Sequence, residues 1–355
     1  MSDNIEMSEY DQIKNDYPNK QQLKFHNNDV LYTDNLLHEE FNQIQNYYKI
    51  NIKEIGPTIQ SINNYIFEED LSLMIDELYN LILNDINKGR EEKTIKKRFF
   101  DYINSHKINL REIYYWLQNN KTYSNSFYFL GYFNYYGIGI DVNKQKAFEL
   151  YQKAAELENI VAQFELANMC MDGDDADQDY EKAFELSKKL TEGNYPCGIN
   201  LLGYCYRLGI GIKVDIQKAF ELYQKAADLE NLHGICNLGV CYESGAGTEI
   251  DEQKAFELYQ KAADLEHSQG INNLGFCYNN GIGIEFDEEK AFELYQKAAN
   301  LGNNFAQYNL AIMYEFGDGI EKDFNQAIYW LKKSAEQGNK NAQIELEIVL
   351  KDYIL

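Results

Sequence analysis

The sequence predicts an all-α protein, an α/α solenoid of about six helix pairs with an N-terminal helical cap. The string KAFELYQKAA begins at Lys146, Lys218, Lys254 and Lys290, and the equivalent helix starts recur every 36 residues as far as Gln326. Its apolar residues recur at offsets of three and four, as on one face of an amphipathic helix. Only three prolines occur in 355 residues. A constant period of this length indicates helical modules that each pack against the next.

A residue suited to capping a helix stands three positions before each of these starts. These residues are Asn143, Asp179, Asp215, Asp251, Asp287 and Asp323. The side-chain oxygen of Asp or Asn can accept a free backbone N–H of the first helical turn. Five aspartates at one spacing could also suggest a metal site, but successive copies belong to separate repeats about 10 Å apart. We therefore predict helix caps.

The first helix of each pair carries a small residue followed by a glycine-rich stop. The small residue is glycine in four repeats, Gly131, Gly203, Gly239 and Gly275, and alanine in Ala167 and Ala311. A residue without bulk there fits a tight contact between helices. The stop has the form G-x-G, which closes the helix, and comprises Gly137/Gly139, Gly209/Gly211, Gly245/Gly247, Gly281/Gly283 and Gly317/Gly319. Glycine permits the positive φ of a short turn into the second helix.

The second helix is expected to end in a left-handed residue. Glycines follow this helix at Gly193, Gly302 and Gly338. Glutamates hold that place in the other repeats, at Glu158, Glu230 and Glu266. The sequence therefore predicts a glycine stop in three repeats only.

Residues 125–340 follow the pattern L-G-x-x-Y-x-x-G-x-G-[VI]-x-x-D-x-x-K-A-x-x-x-Y-x-K-A-A, which resembles the Sel1-like repeat, a relative of the tetratricopeptide repeat. The resemblance implies a right-handed α/α solenoid whose first helices line the concave side. It also implies a non-catalytic scaffold or adaptor that mediates protein–protein interactions in signalling or complex assembly. A C-terminal capping helix is expected over residues 341–355.

The chain before the array has two expected parts. Residues 1–60 are rich in Asn and Gln without a sustained period and are predicted to be mostly disordered, with a short helix near Leu36–Tyr48. Residues 61–124 show helical apolar stripes between Phe67 and Asn119. A solenoid needs its first apolar face covered, so we predict a helical cap. The same stripes could instead form a separate partner-binding bundle.

Composition excludes several classes of protein. The net charge of −24 opposes general nucleic-acid binding and association with anionic membranes. The sequence has no secretory signal and no apolar run long enough to span a bilayer, so a cytoplasmic location is expected. The six cysteines are then expected as reduced thiols, and Cys205, Cys241 and Cys277 occupy a core position.

No motif indicates catalysis, a cofactor or a metal. The repeated GIGI does not follow a strand, and no phosphate-binding G-x-x-x-x-G-K-[ST] is present. No zinc-binding histidine motif, nucleophile elbow or protein-kinase motif occurs. The basic segment Lys88–Arg98 is either a solvated helix face or a docking patch for an acidic or phosphorylated partner.

Positions that vary among the repeats are those not needed for stacking, and on the first helices they predict a partner-binding groove. These residues are Tyr128, Tyr132, Tyr135, Asn200, Tyr204, Arg207, Asn272, Phe276, Asn279, Tyr308 and Glu315. Aromatic anchors beside polar residues suit a peptide or a helix of a protein partner. The alternative to a scaffold is a regulatory subunit or activator of a separate enzyme, such as a kinase or a membrane-associated complex. The sequence does not indicate an oligomeric state.

Overall fold

The computed structural model describes residues 68–173 and 178–354, and all their regular secondary structure is α-helical. The predicted disordered segment 1–60, the short helix at Leu36–Tyr48 and Phe67 lie outside these residues. The helices are α1 Glu68–Asn87, α2 Glu92–Ser105, α3 Leu110–Asn119, α4 Ser124–Tyr136, α5 Lys144–Glu156, α6 Ile160–Asp172, α7 Tyr180–Glu192, α8 Pro196–Leu208, α9 Ile216–Asp228, α10 Leu232–Ser244, α11 Glu252–Asp264, α12 Ser268–Asn280, α13 Glu288–Leu301, α14 Asn304–Phe316, α15 Phe324–Glu336 and α16 Lys340–Ile354.

Helices α4 to α15 form six repeats of two helices. We call the first helix of each repeat the A helix and the second the B helix. Each packs mainly against the helix before it and the helix after it, and α16 packs on α15 at the end of the array. The prediction of an all-α solenoid of about six pairs is confirmed, because contacts pass from each repeat to its neighbour.

The residues before the B helices cap them. Asn143 accepts a hydrogen bond from the Lys146 N–H at 2.8 Å, and Asp287 accepts one from Lys290 at 2.9 Å. Asp179, Asp215, Asp251 and Asp323 make the same contact at 3.0–3.1 Å. These bonds satisfy N–H groups that the helix itself leaves without an acceptor.

The first glycine of each G-x-G ends an A helix. These left-handed caps are Gly137, Gly209, Gly245, Gly281 and Gly317, with φ between +67° and +78°. The Gly209 N–H, for example, donates to the Cys205 carbonyl at 2.9 Å. The predicted glycine stop is therefore confirmed for the first glycine of the motif.

The second glycine of each G-x-G does not end a helix, and the prediction that the whole motif closes the A helix is wrong for it. The residues concerned are Gly139, Gly211, Gly247, Gly283 and Gly319. They have the positive φ that was predicted, between +66° and +74°, but each lies two residues beyond the cap, in the turn that leads to the B helix. The helix has already ended there, because the first glycine supplies its cap.

In four repeats this second glycine instead brings two repeats together. A Cβ built on Gly247 would lie 2.8 Å from the Ile216 carbonyl oxygen at the start of the preceding B helix, and one on Gly319 would lie 2.5 Å from that of Glu288. Gly211 and Gly283 approach Tyr180 and Glu252 in the same way. Only glycine allows both the positive φ and this contact.

Gly139 belongs to the first repeat, and no B helix precedes that repeat within residues 68–123. It is nevertheless buried and has φ +66°. Its turn therefore keeps the geometry of the later repeats.

The predicted glycine stops of the B helices are confirmed at Gly302 and Gly338, which have φ +104° and +84°, and the prediction is wrong at Gly193. Gly193 has φ −73°, and the left-handed residue of that repeat is Asn194, which stands 36 residues before Glu230. Glutamates take the left-handed conformation in three repeats, Glu158 at φ +64°, Glu230 at +61° and Glu266 at +59°. The turn geometry is therefore imposed by the packing of the repeats, even where the residue is not glycine.

Replacing Glu266 with glycine is expected to stabilise the protein by up to about 1 kcal/mol, because a left-handed backbone is strained at every residue with a Cβ. Glu257→Gly makes the same exchange at an exposed position in the middle of α11, and it should lower stability by about 0.5–1 kcal/mol. Urea unfolding of both variants tests this. Equal losses in the two would contradict it.

The N-terminal helices do more than cover the first repeat. Helix α3 packs beside α4 at the end of the array, as a cap would. Helix α1 instead crosses the A helices α4, α6 and α8, and α2 returns over α4 through contacts of Phe99 with Phe129, Tyr132 and Phe133. We call residues 68–105, which comprise α1 and α2, the strap.

Candidate functional site on the A-helix face

The A-helix face is the surface of the A helices that α1 crosses, and the predicted partner-binding residues all come from A helices. The structure buries Tyr128, Tyr132 and Asn272, with at most 2% of each side chain exposed. The other members are half-buried: Tyr135, Asn200, Tyr204, Arg207, Phe276, Asn279, Tyr308 and Glu315. The predicted set is therefore divided between a covered part and an accessible part.

Tyr128 and Tyr132 are covered by the strap. The ring of Tyr79 lies 6.2 Å from that of Tyr128, and the ring of Phe99 lies 5.2 Å from that of Tyr132. The prediction that these two tyrosines face a partner is wrong for this structure. Comparing the repeats with one another could not reveal this, because the strap lies outside the repeats.

Asn200 and Asn272 connect repeats to each other. Asn237 donates a hydrogen bond from Nδ2 to Asn200 Oδ1 at 2.9 Å, and Asn309 donates one to Asn272 Oδ1 at 3.1 Å. Because adjacent A helices meet at these positions, the amides are used in stacking. For the buried Asn272, the prediction of a polar contact with a partner is wrong.

The accessible part combines aromatic and charged groups. The Arg207 guanidinium lies 5.6 Å from the ring of Tyr204, a cation–π distance. Arg207 also lies beside the buried Tyr223, where burial raises the tyrosine pKa and the arginine opposes that rise. In the next repeat the equivalent residue is Glu243, which accepts a hydrogen bond from Tyr259 at 2.6 Å. Charge therefore changes sign between neighbouring repeats along this face.

The sequence did not identify the strap as part of the site. The strap nevertheless contacts the start of one A helix after another along the array. The first N–H of α6, at Ile160, is 3.2 Å from Tyr79 Oη. The first N–H of α10, at Leu232, donates to the Lys88 carbonyl at 3.0 Å. The first N–H of α12, at Ser268, donates to Glu91 Oε1 at 2.6 Å. Helix α8 begins with Pro196, which has no N–H.

The basic segment Lys88–Arg98 is partly used inside the strap. Asp85 is fully buried and pairs with Arg98 at 2.7 Å and with Arg90 at 3.2 Å. Burial raises the pKa of Asp85, and the two arginines oppose that rise. Lys96 pairs with Glu92 at 2.6 Å and lies 3.8 Å from the centre of the Tyr136 ring. These cations hold α1, α2 and α4 together.

An acidic group lies beneath the strap. Burial raises the pKa of Glu165 to about 7; the Glu92 carboxylate adds to the rise and Lys96 opposes it. Glu165 is near enough to Tyr128 and Tyr132 to raise the pKa of both, although burial is the larger cause. Helix α6 therefore places a carboxylate with a raised pKa on the A-helix face, near Glu92 and Lys96 of the strap.

Two histidines lie beside the turn between α1 and α2. The rings of His233 and His267 are 4.8 Å apart, and His267 Nδ1 lies 3.5 Å from Cys236 Sγ. Burial lowers the pKa of His233 to about 3 and that of His267 to about 4. His267 is also the cap of α12, because its Nδ1 accepts from the Gly270 N–H at 3.4 Å.

Residues 68–173 and 178–354 contain no group of three or more His, Cys, Asp or Glu placed to hold a metal ion. Within the same ranges, no helix has the length and apolar character needed to cross a bilayer. All six cysteines are buried and unpaired by disulfides. Burial raises the pKa of the Cys241 thiol to about 11, which makes it a poor nucleophile.

Comparison with solved structures shows the same fold. A Sel1 repeat protein from Oxalobacter formigenes is 24% identical with a TM-score of 0.55, over 75% of this chain and 96% of that one. A protective antigen of uropathogenic Escherichia coli strains with an SLR fold is 30% identical with a TM-score of 0.49, over 68% of this chain. The match covers 52% of the antigen, about half its length. The immunity protein Pa5087 from Pseudomonas aeruginosa is 20% identical, with a TM-score of 0.43, over 54% of this chain and 73% of that one.

A search of curated proteins found no match. The Sel1 repeat family model matches six segments, at residues 128–159, 160–195, 198–231, 232–267, 268–303 and 304–339. These segments coincide with the six helix pairs and cover more than half of the chain. The chain therefore belongs to the Sel1 repeat family.

Proposed function

We propose that this protein is a cytoplasmic, non-catalytic scaffold or adaptor that binds protein partners through the accessible part of its A-helix face. Sel1-repeat proteins commonly mediate protein–protein interactions. The observation that supports the site is the row of aromatic and polar side chains on the A helices that stay half-buried, and so accessible, beside the strap. Tyr204 with Arg207 on α8 and Phe276 with Asn279 on α12 belong to this row.

The partner surface is expected to be a peptide or a helix with apolar anchors and charges of both signs. Aromatic and arginine side chains contribute most of the binding energy at many interfaces. The opposite charges of Arg207 and Glu243 favour a ligand that carries a group of the opposite sign against each of them. Regulation of a separate enzyme, such as a kinase, would use the same surface.

The test is a pull-down from native lysate with the full chain and with the triple variant Tyr204→Ala, Arg207→Ala and Phe276→Ala. We expect the variant to lose at least tenfold of the captured partner, because each anchor contributes about 1 kcal/mol or more. The control exchanges similar side chains outside the A-helix face, Lys225, Phe286 and Tyr329, for alanine. Both variants must keep the helicity of the wild type. Undiminished capture by the first variant would contradict the proposed site.

A further inference from the structure

The strap contacts the array like a bound ligand, in register with the repeats. Three of the four A helices from α6 to α12 have their first N–H in contact with an oxygen of the strap. The fourth, α8, begins with Pro196, which has no N–H to donate. The caps of two A helices also reach it: Asn231 Nδ2 donates to the Asn87 carbonyl at 2.9 Å, and Asn159 joins Asp76 through Asn125. Each repeat therefore offers polar groups that an occupant of this face can use.

Helix α1 has the pattern of a helix that binds in a groove. Its buried side chains are Leu71, Ile75, Leu78, Ile82 and Ile86, spaced by four, three, four and four residues, and none is more than 7% exposed. They belong to one apolar cluster with residues of repeats one to three. The opposite side of the helix is exposed and includes Leu73, Glu77 and Asn80. An amphipathic helix with this spacing is a common ligand of helical grooves.

We propose that the A-helix face of repeats one to five is a docking surface for an amphipathic helix of a protein partner, and that the strap occupies it in cis. This inference rests on the proposed function and names the class of ligand. The partner helix carries aliphatic residues at the spacing of α1 and a carboxylate after its last turn, in the place of Glu91. Binding requires displacement of the strap.

Covalent connection gives the strap an advantage over any separate ligand. A tethered segment acts at an effective concentration on the order of millimolar. The apparent affinity of a free helix falls in proportion to the fraction of molecules whose face is open. A change that weakens the strap, and leaves the face intact, should therefore strengthen binding of a free helix.

Gly89 provides such a change. It has φ +65° in the turn between α1 and α2, and a Cβ built on it would lie 3.0 Å from the backbone nitrogens of Leu232 and His233. Gly89→Ala should push this turn away from the fourth repeat. Gly281→Ala is the matched control, because Gly281 has φ +68° but the nearest atom to its Cβ is at 3.6 Å. Both variants add the same backbone strain, and only the first adds a steric conflict with the array.

The experiment uses the full chain and a fluorescent synthetic peptide of residues 68–92 as the probe, with a scrambled peptide as the control. Hydrogen exchange at the Leu232 and Ser268 amides reports whether the strap is open, since both donate to it. We expect Gly89→Ala to raise that exchange and to bind the peptide at least tenfold more tightly than wild type or Gly281→Ala. Addition of the peptide should restore the protection of both amides.

Two results would overturn the inference. Wild type that binds the peptide as tightly as Gly89→Ala would show that the strap does not cover the face. Faster exchange in Gly89→Ala without peptide binding would show that the face does not take a helix. If exchange does not change, Tyr79→Ala is added to Gly89→Ala, and amides still protected in that variant would make the strap a fixed part of the core. None of these results bears on partner capture through Tyr204, Arg207 and Phe276.

Discussion

Replacing Gly239 with alanine is expected to lower the free energy of unfolding by about 1–2 kcal/mol, although alanine favours a helix. A Cβ at this position would lie 2.6 Å from Cε1 of Tyr259, whose ring is fully buried. The ring cannot move without disturbing the core of the fourth repeat. The steric cost, about 1–3 kcal/mol, therefore exceeds the gain in helix propensity of up to about 1 kcal/mol.

The repeats themselves supply the compensating change. Glycine faces a tyrosine of the B helix in four repeats, with Cβ distances of 2.7, 2.8, 2.6 and 3.0 Å at Gly131, Gly203, Gly239 and Gly275. In the two repeats with Ala167 and Ala311, the B-helix position holds Ser187 and Leu331. The small residue and the tyrosine are thus a matched pair.

In the double variant Gly239→Ala, Tyr259→Leu, the free energy of unfolding should fall by about 1 kcal/mol less than the sum of its falls in the two single variants. Tyr259→Leu alone removes the hydrogen bond to Glu243 and part of the ring volume, so it also destabilises. Urea unfolding and hydrogen exchange of α10 and α11 measure all three variants. Ala311→Gly in the sixth repeat gives the helix-propensity term together with the loss of one buried methyl group, which is an upper limit for that term. Simple additivity of the two losses would contradict the steric explanation.

Replacing His267 with asparagine is expected to make the protein less sensitive to acid. Burial lowers the pKa of His267 to about 4 from its ordinary value near 6.5. Between these values the unfolded chain binds a proton that the folded chain does not, so stability falls as the pH falls. The shift of about 2.5 pKa units corresponds to roughly 3 kcal/mol, fully lost below pH 4.

Asparagine is a suitable replacement because other repeats already use it. Asn159, Asn231 and Asn303 cap the equivalent helices and accept from the third N–H at 2.8–2.9 Å. His267→Asn should therefore match the wild type at pH 8 within about 1 kcal/mol and exceed it at pH 4.5. His233, Cys236 and Glu91 are the ionisable groups nearest to His267, and none is changed. Urea unfolding across this range is the measurement.

His106→Asn provides the control, because His106 is exposed at the end of the strap. The stability of the His106→Asn variant should depend on pH in the same way as that of the wild type. If His267→Asn also followed that dependence, the buried histidine would not be a source of the acid sensitivity.

The repeat architecture could be predicted because its information is local. Each cap, such as Asp215 for Lys218, acts within three residues, and the first glycine of each stop acts within one turn. A 36-residue period then forces neighbouring modules to present the same faces. Even so, assigning the B-helix stop to Gly193 was wrong by one residue, because the backbone at Asn194 follows the stacking of the repeats.

The second glycines of the G-x-G motifs show where local information ends. Gly211 and Gly247 were assigned to the helix stop, yet each contacts the B helix of the preceding repeat, at Tyr180 and Ile216. Gly139 has the same place in the motif and the same positive φ, in a repeat that no described B helix precedes. Position in the motif therefore specified the positive φ, whereas the stacking of repeats decided which glycines are needed for close approach.

The accessible and covered parts of the A-helix face could not be distinguished from local patterns either. The contacts that set them join residues far apart in the chain, 81 positions for Tyr79 with Ile160 and 177 for Glu91 with Ser268. No periodic pattern encodes such distances, because the strap does not repeat. Periodicity thus specified the helices, their caps and their stacking, whereas long-range packing of one non-repeating segment determined which side chains remain available to a partner.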